Sequence, residues 1–253
     1  MTWERLGPRD YVPMRIVARM DEPIAYLGDL LHIDGPIAYG AFHDLDERTR
    51  RTIAPVGSAE YEDWPIDLTL PLSTWWCEAA PDANPRLLKR SRRGKDGPPP
   101  RLWGWCASAA DETAWAGRGV LEVRKRPELG KMSRYTSDRS ANISSGHMKA
   151  YDLKIPTVLA REVVWYAHGD PDRVRHLLST YVPAIGKKRS TGNGTVREWI
   201  VEQIDEDRSV VAPDGQLMRR MPRGAVDGSP GHGGIRPPYY HHTRQVESVE
   251  PWA

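Results

Sequence analysis

The sequence predicts an α+β fold in which an antiparallel sheet is built from two β-α-β units. Residues 12–20 alternate between apolar and other side chains, as expected of a strand with one buried face. Asp34-Gly35-Pro36 then indicates the start of a helix, with Asp34 as the N-cap and the proline in the first turn. A second unit of the same kind occupies residues 162–204. Two such units favour a ferredoxin-like, or RRM-like, arrangement.

The second unit carries the clearest helix signals in the chain. Residues 162–167 form an apolar, β-rich run, and Asp170-Pro171 follows with an N-cap aspartate and a proline at the first helical position. The apolar residues after this cap recur at helical spacing and predict a core-facing stripe: Val174, Leu177, Leu178 and Tyr181. A proline at position 183 ends the helix, a glycine-rich segment follows, and residues 195–204 complete the unit as a strand.

The remaining segments are divided between this sheet domain, which we place at residues 1–212, and a C-terminal extension. Further strands are predicted at residues 66–72, 101–108 and 120–125. A large basic insertion is predicted around residues 81–150. The extension, residues 213–253, begins with a hairpin that turns at Pro213-Asp214-Gly215 and continues as a Pro/Gly-rich, irregular C-terminal arm.

The composition argues against a membrane span, a secretion signal and a metal site. No stretch approaches the roughly 20 apolar residues that cross a bilayer, and the first residues lack the layout of a signal peptide. Cys77 and Cys106 are too few for a zinc site and are expected as small core residues. His232, His241 and His242 have no acidic ligand set near them in the sequence. We therefore expect a cytoplasmic protein without a metal or another cofactor.

Charge is distributed unevenly along the chain, although the formal net charge is only +2. Residues 20–70 contain 11 acidic and 3 basic side chains, whereas residues 86–199 contain 23 basic and 11 acidic ones. This asymmetry predicts one surface that faces a polyanion and another that faces a protein. The alternative is that the two sets of charges mix in space and cancel.

Residues 186–194 combine the features of a loop that binds phosphate groups. Three glycines allow positive φ and a close approach of a ligand to the backbone, and successive N–H groups in such turns can bind anions. Cations and hydroxyls lie between the glycines: Lys187, Lys188, Arg189, Ser190 and Thr191. Because a strand follows and no Gly-Lys-Ser/Thr is present, the loop is neither a Walker A loop nor a dinucleotide-binding fingerprint. The alternative is a solvated basic turn.

The spacing of Gly186, a basic stretch and Gly192-Asn193-Gly194 before a strand resembles the glycine-rich loop of RAMP proteins. These are the ferredoxin-like RNA-binding subunits of CRISPR effector complexes. Residues 149–157, 165–173 and 185–190 further resemble the type IV CRISPR subunit of the fifth Cas family. The chain departs from this pattern at Asn193, where the loop usually has an apolar residue that anchors it to the core. Asparagine still tolerates left-handed backbone.

This resemblance implies a noncatalytic, RNA-binding subunit of a type IV CRISPR ribonucleoprotein complex, which acts in defence against viruses or plasmids. Such a subunit holds the 5′ handle of the guide RNA and caps a filament of backbone subunits, with large or small subunits as further partners. The residues expected to bind the RNA come from the loop, the following strand and the middle insertion: Gly186, Lys187, Lys188, Arg189, Ser190, Thr191, Gly192, Asn193, Gly194, Arg197, Arg134, Arg139, His147, Lys149 and Tyr151.

Two other functions remain open. His147, Lys149 and Tyr151 share a face of an extended segment, and such a trio could support metal-independent cleavage of guide RNA. The chain would then be an endoribonuclease. A third possibility is a protein-interaction module whose basic loops do not bind RNA specifically. Four tryptophans that could stack bases are expected instead in the core or in an interface: Trp75, Trp76, Trp103 and Trp105.

Overall fold

The computed structural model describes residues 3–26, 30–53, 67–78, 101–111, 115–125 and 149–251. In this part of the chain the fold is α+β, as predicted, and its strands pair antiparallel in four three-stranded sheets. No helix of these residues is long and apolar enough to cross a membrane. Most of the predicted basic insertion lies outside the described residues.

The elements follow one another along the chain in this order: β1 (Trp3–Leu6), β2 (Val12–Met20), β3 (Ile24–Ala25), α1 (Asp34–Asp44), α2 (Glu47–Ile53), β4 (Thr74–Glu78), β5 (Arg101–Trp105), β6 (Trp115–Lys125), β7 (Tyr151–Ala160), β8 (Glu162–Gly169), α3 (Pro171–Tyr181), β9 (Val196–Gln203), β10 (Met221–Pro222), β11 (Pro230–Gly234) and β12 (Gln245–Val249). Short 3₁₀ turns lie at Arg189–Thr191 and His242–Arg244.

The central sheet has β2 between β8 and β9, and both pairings are antiparallel. Met14, Ile16 and Ala18 of β2 are fully buried in the main core. Arg15 and Arg19 point to the other face, where both form ion pairs with glutamates of the neighbouring strands. The prediction that the strands near residues 12–20, 162–167 and 195–204 share one antiparallel sheet is confirmed.

The outer edge of β8 differs from the predicted strand at residues 66–72. Leu72 forms only an isolated bridge to Gly169, and a Cβ on that glycine would lie 2.2 Å from the Pro71 carbonyl oxygen. Residues 106–111 continue this edge through two further antiparallel bridges to β8. The strand prediction is wrong here because Pro71 has no N–H group to extend a ladder.

The predicted strand at residues 101–108 is two segments that belong to different sheets. Its first part, β5, pairs with β4 and ends at Trp105. The Cys106 N–H group then donates to the Ser73 carbonyl oxygen, and Ala107 bridges to Ala167 of β8. The apolar run continues through the change of sheet because Trp105, Cys106 and Ala107 are all buried. Hydrophobic periodicity therefore did not mark the break.

The helices α1 and α3 pack closely against each other. A Cβ on Gly40 of α1 would lie 2.9 Å from the Leu177 carbonyl oxygen, so only glycine allows this approach. The predicted N-cap of α3 is confirmed, since the Asp170 carboxylate accepts a hydrogen bond of 3.0 Å from the Arg173 N–H group. Three of the four predicted core-facing residues of α3 are buried, Val174, Leu177 and Leu178. The fourth, Tyr181, is half-buried against the same core.

Asp34 is not the predicted N-cap of α1. That position belongs to Ile33, which has helical backbone and makes no side-chain capping bond. Asp34 is fully buried and accepts a hydrogen bond of 2.5 Å from the Tyr239 hydroxyl, with Arg219 Nη1 at 3.7 Å. Burial raises the pKa of the Asp34 carboxyl, and the Arg219 charge opposes this. The N-cap prediction is wrong because partners far away in sequence take the carboxylate into the interior.

The hairpin predicted before the C-terminal segment is confirmed. Val211 bridges antiparallel to Leu217, and the Gly215 N–H group donates to the Ala212 carbonyl oxygen across the turn. The Asp214 carboxylate accepts from the N–H group two residues later, as an Asx turn does. Whether a domain boundary falls after residue 212 stays a prediction.

The segment after the hairpin is a folded sheet, and the prediction of an irregular arm is wrong for residues 221–251. β12 pairs antiparallel with both β10 and β11. The apolar side chains of this sheet share a second core with β4 and β5, which includes Trp75, Leu102, Met221, Ile235 and Val246. The segment is rich in glycine and proline, so its apolar residues lack the regular period that predicts strands.

Acidic residues from positions 20–70 pair with basic residues from distant parts of the chain. Four of these pairs are buried or half-buried: Asp34–Arg219, Asp44–Arg173, Asp67–Arg236 and Asp67–Arg244. A fifth pair, Asp21–Arg197, is more exposed. These contacts bring opposite charges together inside the fold. Within the described residues, two of these pairs, Asp44–Arg173 and Asp21–Arg197, join residues 20–70 to residues 86–199. The other three use arginines of the C-terminal segment, so the two charged segments mix only in part.

Candidate nucleic-acid interface

The glycine-rich loop between α3 and β9 is closed at its base by backbone contacts. Ala184 bridges to Thr195, and the Ile185 N–H group donates to the Gly194 carbonyl oxygen at 2.9 Å. Ile185 is buried in the main core. It therefore anchors the chain immediately before the loop, which explains how the loop packs although Asn193 is polar.

Four residues of the loop have left-handed backbone, with φ of +81° at Gly186, +56° at Lys188, +88° at Gly192 and +69° at Gly194. Two of the glycines are also required by space. A Cβ on Gly186 would lie 2.7 Å from the Ala25 carbonyl oxygen, and one on Gly194 would lie 1.9 Å from that of Ile185. At Gly192 nothing lies within 4 Å of such an atom. At Gly186 and Gly194 a side chain would clash with the backbone. At Gly192 only the positive φ favours glycine.

The loop docks on the short strand β3 and the residues before it. The Lys187 N–H group donates to the Ala25 carbonyl oxygen and the Gly194 N–H group to that of Pro23, both at 2.8 Å. The Gly192 N–H group donates to the Arg189 carbonyl oxygen. The N–H groups of Gly192 and Gly194 are therefore used within the fold. Contacts to an anion have to come from the side chains and the remaining N–H groups.

The loop presents its cations to solvent. Lys187 and Arg189 are exposed and Lys188 is half-buried. Within the described residues none of the three forms a salt bridge. Three uncompensated positive charges on one short, hydrogen-bonded turn produce a local positive potential that attracts a polyanion.

The other polar residues of the loop mainly support its own turn. The Thr191 hydroxyl donates to the Lys188 carbonyl oxygen at 2.8 Å, and the Asn193 amide donates to the Thr191 hydroxyl oxygen at 3.0 Å. Ser190 is exposed beside them. Thr191 and Asn193 thus hold the backbone that presents the cations, and a contact with RNA is an additional task for them.

Arg197 of β9 is oriented by an acidic neighbour. Its Nη2 lies 2.5 Å from Asp21 Oδ1, and its Nε donates to the same oxygen at 2.6 Å. The arginine remains exposed. Its charge is already partly balanced, so a phosphate group gains less from Arg197 than from the loop cations.

The second predicted group of RNA-binding residues belongs to a ribbon formed by β6 and β7. At its base Ala25 of β3 pairs with Thr157 and also bridges to Lys187, so β3 joins the ribbon to the loop. Lys149 and Tyr151 are exposed at the far end, and six residues of strand place Tyr151 about 20 Å from Thr157. The structure therefore connects the two groups without bringing them together. Three other predicted residues lie outside the described part: Arg134, Arg139 and His147.

A family comparison decides what kind of protein carries this loop. The sequence model of the family described as "CRISPR type IV associated protein Csf3" matches residues 103–251, which is more than half of the chain and includes the entire loop. The chain belongs to this family. The predicted membership of a type IV CRISPR family is thereby confirmed.

Other comparisons of the Csf3-family chain give less. A cryo-EM structure of the Type III-B Cmr-beta bound to cognate target RNA is similar over 80% of this chain, with 11% identity and a TM-score of 0.30. The chain covers 61% of the matched chain in that structure. A similarity at this TM-score carries no argument about function. No curated protein sequence matches the chain.

Tyr39 is a residue of the site that the sequence prediction missed. It lies on α1 and is exposed. The Arg189 guanidinium carbon lies over its ring, 4.7 Å from the ring centroid. A cation over an aromatic face is attracted by the ring quadrupole. The sequence did contain a signal for it. A large aromatic residue that lies off the buried face of a predicted helix is a candidate for binding.

The four tryptophans divide between the cores and a half-buried face. Trp75 is fully buried and Trp105 is 8% exposed. Trp76 and Trp103 are half-buried and stacked with centroids 5.8 Å apart, and the Arg236 guanidinium lies 4.3 Å from the Trp103 centroid. These contacts account for most of the aromatic surface. They favour the interpretation as core or interface residues.

The cysteines lie in structural rather than reactive environments. Burial raises the pKa of the Cys77 and Cys106 thiols to about 12, so neither is a reactive thiolate at neutral pH. Within the described residues no group of three or more His, Cys, Asp or Glu could hold a metal ion. The absence of a metal or another cofactor stays a prediction.

Proposed function

We propose that this chain is the noncatalytic subunit of a type IV CRISPR ribonucleoprotein complex that holds the 5′ handle of the guide RNA. The observation that carries this proposal is the set of loop cations, Lys187, Lys188 and Arg189, which form no salt bridge with the described residues and lie on a turn fixed to β3 and to the main core. Phosphate contacts supply most of the affinity of RNA-binding surfaces, and a preformed turn loses little conformational freedom on binding. The Csf3 family assignment supports a role within a CRISPR complex.

The strand order supports a ferredoxin-like, RAMP-type domain beneath this loop. The strands lie in the order β9–β2–β8 across the sheet. On the far side of β8, Leu72 and residues 106–111 extend the sheet through isolated bridges. A β-α-β-β-α-β chain places its second strand at this edge. The irregular edge thus takes the position of the second strand of this fold. The glycine-rich loop precedes β9, which takes the position of the final strand.

The proposed partners are the guide RNA and the backbone subunit of the filament, with large or small subunits as further contacts. Exposed apolar residues on the ribbon support a protein contact: Val120, Leu153 and Leu159 are 62%, 42% and 48% exposed. Deletion of the residues after Met221 would not be a test of such contacts. These residues complete the second core, so their removal exposes it and unfolds the chain around Trp75.

We expect the substitution of Lys187 and Lys188 together by alanine to weaken RNA binding roughly tenfold per residue, because a charged hydrogen bond contributes about 1.5 kcal/mol or more. A phosphate contact does not depend on sequence, so the loss is similar for all single-stranded RNAs. Each lost contact also reduces the slope of log affinity against log salt by roughly 0.7. The measurement is a salt titration of binding by fluorescence anisotropy.

The matched control for this pair substitutes Arg208 and Arg223 by alanine. It removes the same formal charge, but both arginines are paired with nearby glutamates, Glu206 and Glu247. We expect it to change neither the affinity nor the slope appreciably. Equal effects of the two double variants mean that only net charge matters, and an unchanged Lys187/Lys188 variant rejects the loop as the binding site.

We propose further that the chain does not cleave the RNA that it holds. Ser73 Oγ and His168 Nδ1 lie 2.9 Å apart, but both side chains are buried, and a Cβ on Gly7 would lie 2.3 Å from the serine oxygen. This pair is therefore inaccessible to a substrate. We expect labelled repeat RNA to stay intact in the presence of the pure protein with or without EDTA. Cleavage that disappears in Tyr151→Phe or Lys149→Ala would instead establish the endoribonuclease alternative.

A further inference from the structure

A groove lies beside the glycine-rich loop and shares a residue with it. The groove has a volume of about 220 Å³ and lies between α1 and the Pro237-Pro238 segment. Tyr39, whose ring carries Arg189, forms part of its wall together with Phe42 and Trp105. Tyr39 therefore connects the Arg189 cation at the edge of the groove with the aromatic wall.

We propose that this groove accepts one unpaired nucleobase of the RNA whose phosphates the loop binds. The inference rests on the proposed function, because it assigns the base-binding part of the same surface. Single-stranded RNA is recognised through bases that leave the stack and pack on aromatic side chains while cations hold the backbone. Arg189 at the edge and Tyr39 and Phe42 in the wall supply these two elements.

The size of the groove fits this occupant. Drug-sized ligands occupy pockets of roughly 300–1,000 Å³, and this groove is smaller, at about 220 Å³. Ala38 lies at its wall and leaves the space open. A flat base enters such a slot, whereas a folded protein segment needs a longer surface.

The charges of the groove also fit an anionic polymer with a polar base. Asp67 lies in its wall, and its Oδ1 accepts from Arg236 Nε at 3.2 Å and from Arg244 Nη2 at 2.7 Å. A carboxylate has about four acceptor sites, so Asp67 can also accept from the exocyclic amino group of a base. We therefore assign the groove to an amino-bearing base, such as cytosine, in preference to uracil.

The test uses short single-stranded RNAs that carry one 2-aminopurine at successive positions. The fluorescence of this base is quenched when it packs against an aromatic ring. We expect strong quenching at one position on binding to the wild-type chain. We expect Ala38→Phe, which fills the groove, to abolish the quenching and to weaken binding roughly tenfold, within the range for loss of one stacked base. The salt slope stays unchanged, because no ionic contact is lost.

Two further variants complete the set. Tyr39→Leu removes one wall and should reduce quenching and affinity in the same way as Ala38→Phe. Tyr240→Leu removes a tyrosine that is 81% exposed and does not line the groove, and it should match the wild type. Replacement of cytidine by uridine at the quenched position should weaken binding several-fold in the wild type only.

The outcomes separate this inference from the proposed function. RNA binding with a normal salt slope but without a quenched position overturns the groove assignment and leaves the phosphate-binding loop in place. Equal affinities for cytidine and uridine overturn the role of Asp67. If Ala38→Phe binds RNA normally but fails to copurify with another subunit, the groove binds protein and the inference is wrong. Absence of RNA binding by the wild type rejects the proposed function itself.

Discussion

Replacement of Arg219 by methionine is expected to lower the free energy of unfolding by about 3–5 kcal/mol, as for other buried ion pairs that lose one partner. Arg219 is fully buried. Its guanidinium donates to the carbonyl oxygens of Ala107 at 2.9 Å and Ile235 at 2.6 Å, and also to that of Trp105. Methionine fills a similar volume, so most of the loss comes from unsatisfied carbonyl groups and from the Asp34 charge left without its cation.

The pH dependence of this variant identifies the charge that is left. Burial already raises the pKa of Asp34, and Arg219 is the largest influence that opposes this. Without Arg219 the folded-state pKa rises further above the unfolded value of 3.8. A carboxyl with a raised folded-state pKa favours folding below its unfolded pKa and loses that contribution as the pH rises. The difference in stability between wild type and Arg219→Met should therefore shrink as the pH is lowered from 7 towards 4.

Two controls make the test specific, with urea denaturation as the measurement. Arg223→Met removes an arginine whose pair with Glu247 is exposed, and it should cost less than about 1 kcal/mol. Adding Asp34→Asn to Arg219→Met should recover part of the stability, because no buried charge then remains unpaired. A loss for Arg219→Met no larger than that for Arg223→Met would show that the buried contacts of Arg219 do not stabilise the fold.

Gly194→Ala is expected to disrupt the loop and to abolish measurable RNA binding. At a φ of +69° an alanine costs about 1–2 kcal/mol in backbone conformation. The new Cβ would also lie 1.9 Å from the Ile185 carbonyl oxygen, which is main chain and cannot rotate away. Relief of the clash requires Ile185 to leave the main core or the hydrogen bond from Gly194 to Pro23 to break. Either change releases the turn that carries the cations.

Gly192→Ala is the matched control, because its φ of +88° has the same conformational cost but nothing lies within 4 Å of the added atom. We expect it to keep RNA affinity within a few-fold of wild type, while Gly194→Ala loses affinity and unfolds at lower urea. Circular dichroism establishes that both variants retain the sheet. If Gly194→Ala binds RNA as well as Gly192→Ala, a preformed loop is not needed for binding.

Short-range patterns determined several parts of the fold. The alternation in β2 and the Asp170 cap with the apolar stripe of α3 involve interactions over at most seven residues, and both are present as predicted. The Csf3 family assignment agrees with the resemblance drawn from residues 149–157, 165–173 and 185–190. The loop likewise has left-handed backbone at its three glycines, because residues within the turn itself impose that geometry.

Only the tertiary structure decided the partners of the buried charges. Asp34 bonds to Tyr239, 205 residues away, and Asp67 bonds to Arg244, 177 residues away. These contacts make the proline- and glycine-rich C-terminal segment part of the folded body. No local period records which distant carboxylate a buried arginine neutralises, because that choice depends on the packing of whole sheets.

The candidate site divides in the same way. The sequence by itself determined the cations and glycines of the loop, since their chemistry and spacing are local. The tertiary structure decided that Ala25 of β3 and Pro23 before it accept from two of the loop N–H groups. It also decided that Asp21 pairs with Arg197 and that Tyr39 lies under Arg189 beside a groove. Each of these contacts joins segments more than 140 residues apart in the chain. Their geometry follows from the way α1 and β3 pack on the main core and the C-terminal sheet packs on the second core, which a linear pattern of residue types does not contain.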